Sequence, residues 1–146
     1  MKISVRSLLA GEVGDSLEES ITLNPSTIDD LDLHSGELRA QFTRVPEGII
    51  ADLAGEATIT LVCDRCLDEF EADLSFRSSE EFREQPGEDI WPIDKKWQID
   101  LAEPVRQALI LATPFHPLCR ENCPGLCLVC GQSLSDNHKH TKTKEK

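Results

Sequence analysis

The 146-residue sequence predicts an α+β protein: a mainly antiparallel sheet, one amphipathic helix, and a cysteine-rich, zinc-ribbon-like end. Three observations carry that prediction. Apolar side chains alternate with polar ones through the middle of the chain, which is the period of a half-buried strand. One later stretch, residues 101–112, places Leu101, Val105, Ala108, Leu109 and Ala112 at helical spacing. The six cysteines fall in two clusters, Cys63-x2-Cys66 and Cys119-x3-Cys123-x3-Cys127-x2-Cys130.

In chain order, Lys2 to Leu9 is expected as an edge strand. Asn24-Pro25-Ser26-Thr27, followed by Ile28, Leu31 and Leu33, predicts a turn into a short helix or an acidic loop. Leu38, Ala40 and Phe42 alternate with Arg39, Gln41 and Thr43, and Pro46-Glu47-Gly48 then turns the chain into a hairpin. Ile49, Ala51, Leu53, Ala57, Ile59 and Leu61 share one parity, so residues 49–62 predict a long strand with a bulge at Gly55. Phe70, Ala72, Leu74 and Phe76 predict its partner over residues 67–76, and the Cys63–Cys66 segment becomes the hairpin tip. Thr58 and Thr60 fall on the outward face as ordinary strand residues. Residues 84–98 predict a loop that Trp91 and Trp97 pin onto the sheet. Asp100-x2-Glu103 matches a capping box and Pro104 suits a first turn, while Pro114 and Pro117 stop the helix. Residues 1–134 are expected to form a single domain, and 135–146, polar and without a large apolar residue, a disordered tail.

The length suffices for a core without staples, so a metal would organise one end of the fold instead of replacing the core. No apolar run approaches the roughly 18 residues of a membrane span. The opening residues Met1 to Glu12 are too charged and too short in apolar run for a signal peptide, and the protein is expected to be cytoplasmic. Disulfides are disfavoured there. Net charge is −12; the tail carries +2, which leaves residues 1–134 near −14, and residues 64–103 alone hold thirteen acids against five bases. Such a body repels phosphate, so a basic protein partner fits better than naked RNA. A purely solvated acidic surface is the plain alternative.

A C-x2-C turn aims two sulfurs at one point, and two such pairs supply the tetrahedral thiolate cage that zinc favours. Cys63, Cys66, Cys119, Cys123, Cys127 and Cys130 are therefore the candidate metal ligands, two more than one ion needs. Three partitions fit: Cys63 and Cys66 with Cys127 and Cys130, as in a zinc ribbon, which Gly131 favours; Cys63 and Cys66 with Cys119 and Cys123; or Cys119 through Cys130 alone. The strand pattern after Cys66 argues against a thioredoxin-like dithiol, which needs a helix there. Ferredoxin spacing is lacking. An all-thiolate cage leaves no open position for water, and no nucleophile–base pair or phosphate-cradling loop accompanies it. His34 and His116 are read as surface or structural residues, and His138 and His140, in the tail, as bystanders. The expectation is a non-enzyme. A cysteine-based redox sensor is the second reading, in which an oxidant pairs Cys63 with Cys66.

Three ordered motifs, Cys63-Asp64-Arg65-Cys66-Leu67, Ile99-Asp100-Leu101 and Pro117 through Gly131, resemble the YceD-like family of bacterial and plastid proteins, the large ribosomal RNA subunit accumulation proteins, over roughly residues 45–134. The resemblance implies a non-enzymatic factor in ribosome biogenesis, needed for accumulation of large-subunit (23S) ribosomal RNA, with no catalytic residues. The acidic body points to protein contacts in that role, with a basic ribosomal protein or an RNA-processing factor, and direct RNA contact would fall to the lysines of the tail.

Overall fold

A computed structural model describes residues 1–25, 28 and 30–131. The protein is mostly sheet with two helices. Its strands are β1 (Lys2–Ser4), β2 (Ser16–Leu23), β3 (Leu33–Val45), β4 (Gly48–Val62), β5 (Glu69–Arg83), β6 (Trp91–Pro92) and β7 (Gln98–Asp100); its helices are α1 (Arg6–Ala10) and α2 (Ala102–Ala112). One sheet has five strands in the order β2-β3-β4-β5-β6, and β1 pairs with β7 in a second. The pairs β1–β7, β2–β3 and β3–β4 are antiparallel, but β5 and β6 run parallel, joining Phe82 to Trp91 and Arg83 to Pro92. The sheet is thus mixed, because the chain passes through the loop after β5 and returns in the same direction beside it.

The chain divides into two compact units. The first comprises Met1–Ile59 and Asp73–Thr113; the second comprises Thr60–Ala72 with the residues from Pro114 onward. In the first unit the alternation in β3 and β4 becomes one apolar face: Leu38, Ala40 and Phe42 stand opposite Gly55, Leu53 and Ala51 and, Gly55 apart, are buried, with Phe42 and Ala51 at 0% exposure. Arg39, Gln41, Asp52 and Glu56 take the other face. Val45 pairs with Gly48 across the two-residue Pro46-Glu47 turn.

Several expectations change. The segment from Lys2 to Leu9 is not one strand: after β1 the chain enters α1, whose Leu8 is buried, while the Arg44 guanidinium donates to the Leu8 and Leu9 carbonyls at its C-terminal end. One amphipathic helix was expected, and α1 is a second helix among the described residues. The register of β3 with β4 runs unbroken past Gly55; its irregularity lies between Leu33 and Ser35 on the neighbouring strand. Gly55 answers a packing need instead, because a Cβ there would lie 2.7 Å from the Phe76 ring and 2.4 Å from the Glu37 carbonyl oxygen. Gly48 is tighter still, with the Phe82 carbonyl oxygen 2.1 Å from a Cβ position. Gly48→Ala therefore requires β4 and β5 to part locally, and we expect a loss of about 1–3 kcal/mol in urea unfolding at unchanged m-value.

The described residues between Asn24 and Leu33 carry no helix, and Ser26, Thr27 and Asp29 of that stretch lie outside the described residues. α2 forms where its spacing predicts, burying Pro104, Val105, Ala108 and Leu109. The capping box does not close: Asp100 Oδ1 accepts from Ala102 N at 2.9 Å, whereas Glu103 turns to Arg106 at 3.0 Å. Residues 84–98 are not all loop, since Trp91 and Pro92 form β6 and Gln98 opens β7, and Trp91 is tied to the sheet by its Nε1, which donates to Glu80 Oε2 at 2.8 Å. No helix among the described residues is long and apolar enough to cross a membrane. Residues 132–146 lie outside the described residues, and with them the expected tail 135–146 and its His138 and His140.

Candidate metal centre

The second unit is built around sulfur. After β4 ends at Val62 the chain makes a knuckle in which Leu67 N donates to Cys63 O and Cys63 N to Asp68 O, each at 2.9 Å. Leu67 closes it in the left-handed region, at φ 63°. This conformation reverses the chain within a single C-x2-C segment and leaves both sulfurs on its inner side. Beyond α2, Pro114 and Pro117 prevent further helix, and the segment runs alongside the knuckle: Asp64 N donates to Pro117 O at 2.8 Å, His116 Nδ1 meets Asp64 Oδ2 at 2.8 Å, and Arg65 Nη1 donates to Cys123 O at 3.1 Å.

These backbone and side-chain links bring Cys119 and Cys123 against Cys63 and Cys66. The four sulfurs all lie within 4.8 Å of one another, with Cys63 to Cys123 at 3.7 Å and Cys66 to Cys119 at 3.8 Å. A regular tetrahedron with Zn–S bonds of about 2.3 Å has S···S edges of about 3.8 Å, so the two measured contacts match the dimensions of a zinc cage. Cys63, Cys66 and Cys123 are buried, and Phe70, Leu118 and Leu126 pack around them. These side chains shield Cys63, Cys66 and Cys123 from solvent, while Cys119 is half-buried. Among the described residues this is the one group of three or more His, Cys, Asp or Glu whose ligand atoms converge in this way.

The electrostatics suit a cation among the four sulfurs. Burial opposes ionisation of Cys63, but backbone N–H groups of Cys66, Cys119 and Arg65 and the Cys66 thiol outweigh it and bring the Cys63 thiol down to about 6. Cys119 has no such support: burial and the neighbouring sulfurs of Cys123, Cys66 and Cys63 push it up to about 12. For Cys66 the backbone at Asp68 favours the thiolate, yet burial and the Cys63 and Cys123 sulfurs together raise its pKa. The thiolate is thus favoured at Cys63 and resisted at Cys66 and Cys119. A divalent ion among the sulfurs would reverse the balance at Cys66 and Cys119.

Cys127 and Cys130 are not part of this group. They form a knuckle of their own, in which Val129 N donates to Cys127 Sγ at 3.4 Å and Gly131 N to Cys127 O at 2.9 Å. Cys127 is buried and Cys130 exposed. The backbone of Cys130, then that of Val129, and the Cys130 thiol lower the Cys127 pKa against the effect of burial. No disulfide is present. Of the three partitions open to the sequence, the four sulfurs brought together are those of the second. Sequence reasoning passed over Arg65 and the His116–Asp64 contact, for which the only signal was their position beside cysteines and prolines.

Fold and site together define a β-rich protein with a cysteine cluster fed from a hairpin tip and from the segment after its second helix. The family model for the large ribosomal RNA subunit accumulation protein YceD matches residues 51–146, a span that includes all six cysteines, and the chain belongs to that family. It is similar to uncharacterized proteins of Mycobacterium bovis and Mycobacterium tuberculosis, at 30% identity in an alignment of 131 residues that covers 84% of this chain and 60% of each relative. An uncharacterized protein of Mycobacterium leprae shares 44% identity over 46 residues, 30% of this chain and 21% of that one. The chain thus spans about 60% of the length of the first two relatives. No solved structure matches it.

Proposed function

We propose that this chain is a non-enzymatic, cytoplasmic factor supporting accumulation of large-subunit ribosomal RNA, that Cys63, Cys66, Cys119 and Cys123 hold a structural zinc ion, and that the protein works through contacts with a basic ribosomal protein or an RNA-processing factor. The family supplies the biological direction. The observation that carries the site is the pair of sulfur contacts at 3.7 and 3.8 Å inside an apolar wall. Four protein thiolates fill the coordination of zinc and leave no position for water or substrate, so the ion would serve as a cross-link between two distant segments.

The net charge of −12 supports a protein partner over a phosphate backbone. Acidic side chains at 64, 68, 69, 71 and 73 surround the hairpin that carries Cys63 and Cys66 and offer a face for a basic surface. The test is affinity capture from lysate at physiological salt with the full chain as bait. A basic ribosomal or processing protein should be recovered, survive nuclease treatment, and be released as salt rises. Recovery of ribosomal RNA in preference to any protein would show the proposed mode of action to be wrong.

The lowered Cys63 thiol, 3.7 Å from a second sulfur, supports the redox reading as the alternative. In that case reductively purified protein would be metal-free, and peroxide would oxidise a cysteine pair to a disulfide while itself being reduced to water. Metal content and per-cysteine alkylation separate the two readings.

A further inference from the structure

The polar face of the five-stranded sheet carries a groove of about 900 Å³ that crosses β2, β3, β4 and β5, all within the first unit. Three contacts fix the register of the later two strands: a Cβ on Gly48 would meet the Phe82 carbonyl oxygen, one on Gly55 would meet the Phe76 ring, and Thr58 Oγ1 donates to Asp73 Oδ1 at 2.6 Å. β4 and β5 therefore run in opposite directions, which sets Arg77 beside Ala54 and Ser75 beside Glu56. On the other side β3 places Arg39 opposite Ala54 and Glu37 opposite Glu56.

The charges thus sort into rows. Arg39 and Arg77 flank the small Ala54 and form one wall of the groove; Glu37 and Glu56 form the other, two residues away along the strands, or about 7 Å. All four charged side chains are exposed. Between the walls lies the row of Leu38, Gly55 and Phe76. Leu38 and Phe76 turn into the core, at 2% and 3% exposure, and Gly55 has no side chain, so the floor is backbone.

Such a groove rejects partners of a single sign. A phosphate backbone is drawn to the arginines but repelled by Glu37 and Glu56, and a wholly basic strip is drawn to the glutamates but repelled by Arg39 and Arg77. An extended polypeptide can satisfy both walls, because its successive side chains leave on opposite sides. Basic residues two apart then face the glutamates while the acidic residues between them face the arginines. Four strands at a spacing of about 4.8 Å span about 14 Å, the length of about four extended residues.

We propose that this groove binds an extended segment of a partner protein in which basic and acidic residues alternate. The assignment is independent of the zinc cage and of the ribosomal role. Arg39 and Arg77 select the acidic residues of the segment, and Glu37 and Glu56 the basic ones.

The test is fluorescence anisotropy with the full chain and labelled peptides of about eight residues, long enough to cross the groove: one with lysine and glutamate alternating, one of the same composition with the two residue types in separate blocks, and one of lysine alone. The alternating peptide should bind about tenfold or more tightly than the other two. It should weaken by a similar factor in Arg39→Glu/Arg77→Glu and in Glu37→Arg/Glu56→Arg. Combining the four substitutions exchanges the walls, and because an alternating peptide fits exchanged walls after a shift of one residue, binding should return. The positions are exposed, so the fold should tolerate the exchange. Equal binding of the alternating and block peptides, tighter binding of the lysine peptide, double variants that bind as wild type does, or a fourfold variant no better than the doubles overturns the proposal. Tighter binding of a single-stranded RNA of similar length overturns it as well.

Discussion

Chelation of zinc, or the double substitution Cys63→Ser/Cys66→Ser, is expected to open residues 60–72 and 114–131 to amide exchange while β3 and the first half of β4 keep their protection. The second unit has a small apolar core of its own, Phe70, Leu118 and Leu126 around the sulfurs. Structural zinc contributes on the order of 10–16 kcal/mol of folding free energy in small zinc-finger peptides, more than so few buried side chains supply. The first unit has a core independent of sulfur, including Phe42, Phe82, Leu53 and Leu109. The effect should also depend on pH. Binding requires all four thiols to be deprotonated, and Cys119, pushed up to about 12 without a cation, holds its proton firmly. Protons therefore compete with the ion, and zinc should be released as pH falls, with reloading on return to neutrality. Hydrogen exchange by mass spectrometry, with and without metal, checks this; identical exchange in the two states would remove the structural role.

Phe42→Ala is expected to have the largest effect among substitutions away from the cysteines. Its side chain is fully buried, opposite Leu17 on one neighbouring strand and Ala51 on the other. Truncation removes the ring's transfer free energy and leaves a cavity that two alanines, Ala40 and Ala51, are too small to fill. A cost of about 3–5 kcal/mol follows, a large share of the roughly 5–15 kcal/mol that holds a typical domain folded. Phe115→Ala makes the control. Its ring is 98% exposed, so a change within about 0.5 kcal/mol is expected. Urea midpoints for the two variants should differ widely; equal midpoints would mean that β3 is not the centre of the core.

The alternation of Leu38, Ala40 and Phe42, then of Ile49 to Ile59, was legible because each strand buries one face only, and period two is what such a strand writes into its sequence. β2 was not legible: along Ser16–Leu23 the inward parity is Leu17, Glu19, Ile21 and Leu23, and the half-buried Glu19 interrupts the apolar series. α1 spans five residues, too few to establish a period. Gly55 was misread because its cause lies across the sheet in Phe76, and a distant neighbour leaves no trace in local spacing. The cysteines show the same division. Spacing identified the knuckles and the residue type pointed to a metal, but which knuckle meets which segment depends on how Pro117 O takes the Asp64 N–H and how Arg65 reaches Cys123 O. Chain order holds none of that.

The four converging sulfurs come in two pairs separated by Leu67 through Leu118, so a nascent polypeptide has all the donors only after Cys123 has been made. Any product ending short of Cys119, whether from premature termination or from proteolysis after α2, retains half of them. Metal retention would thus report on synthesis through Cys123, and a copy truncated before Cys119 could be told apart in the cell by its reactive hairpin thiols.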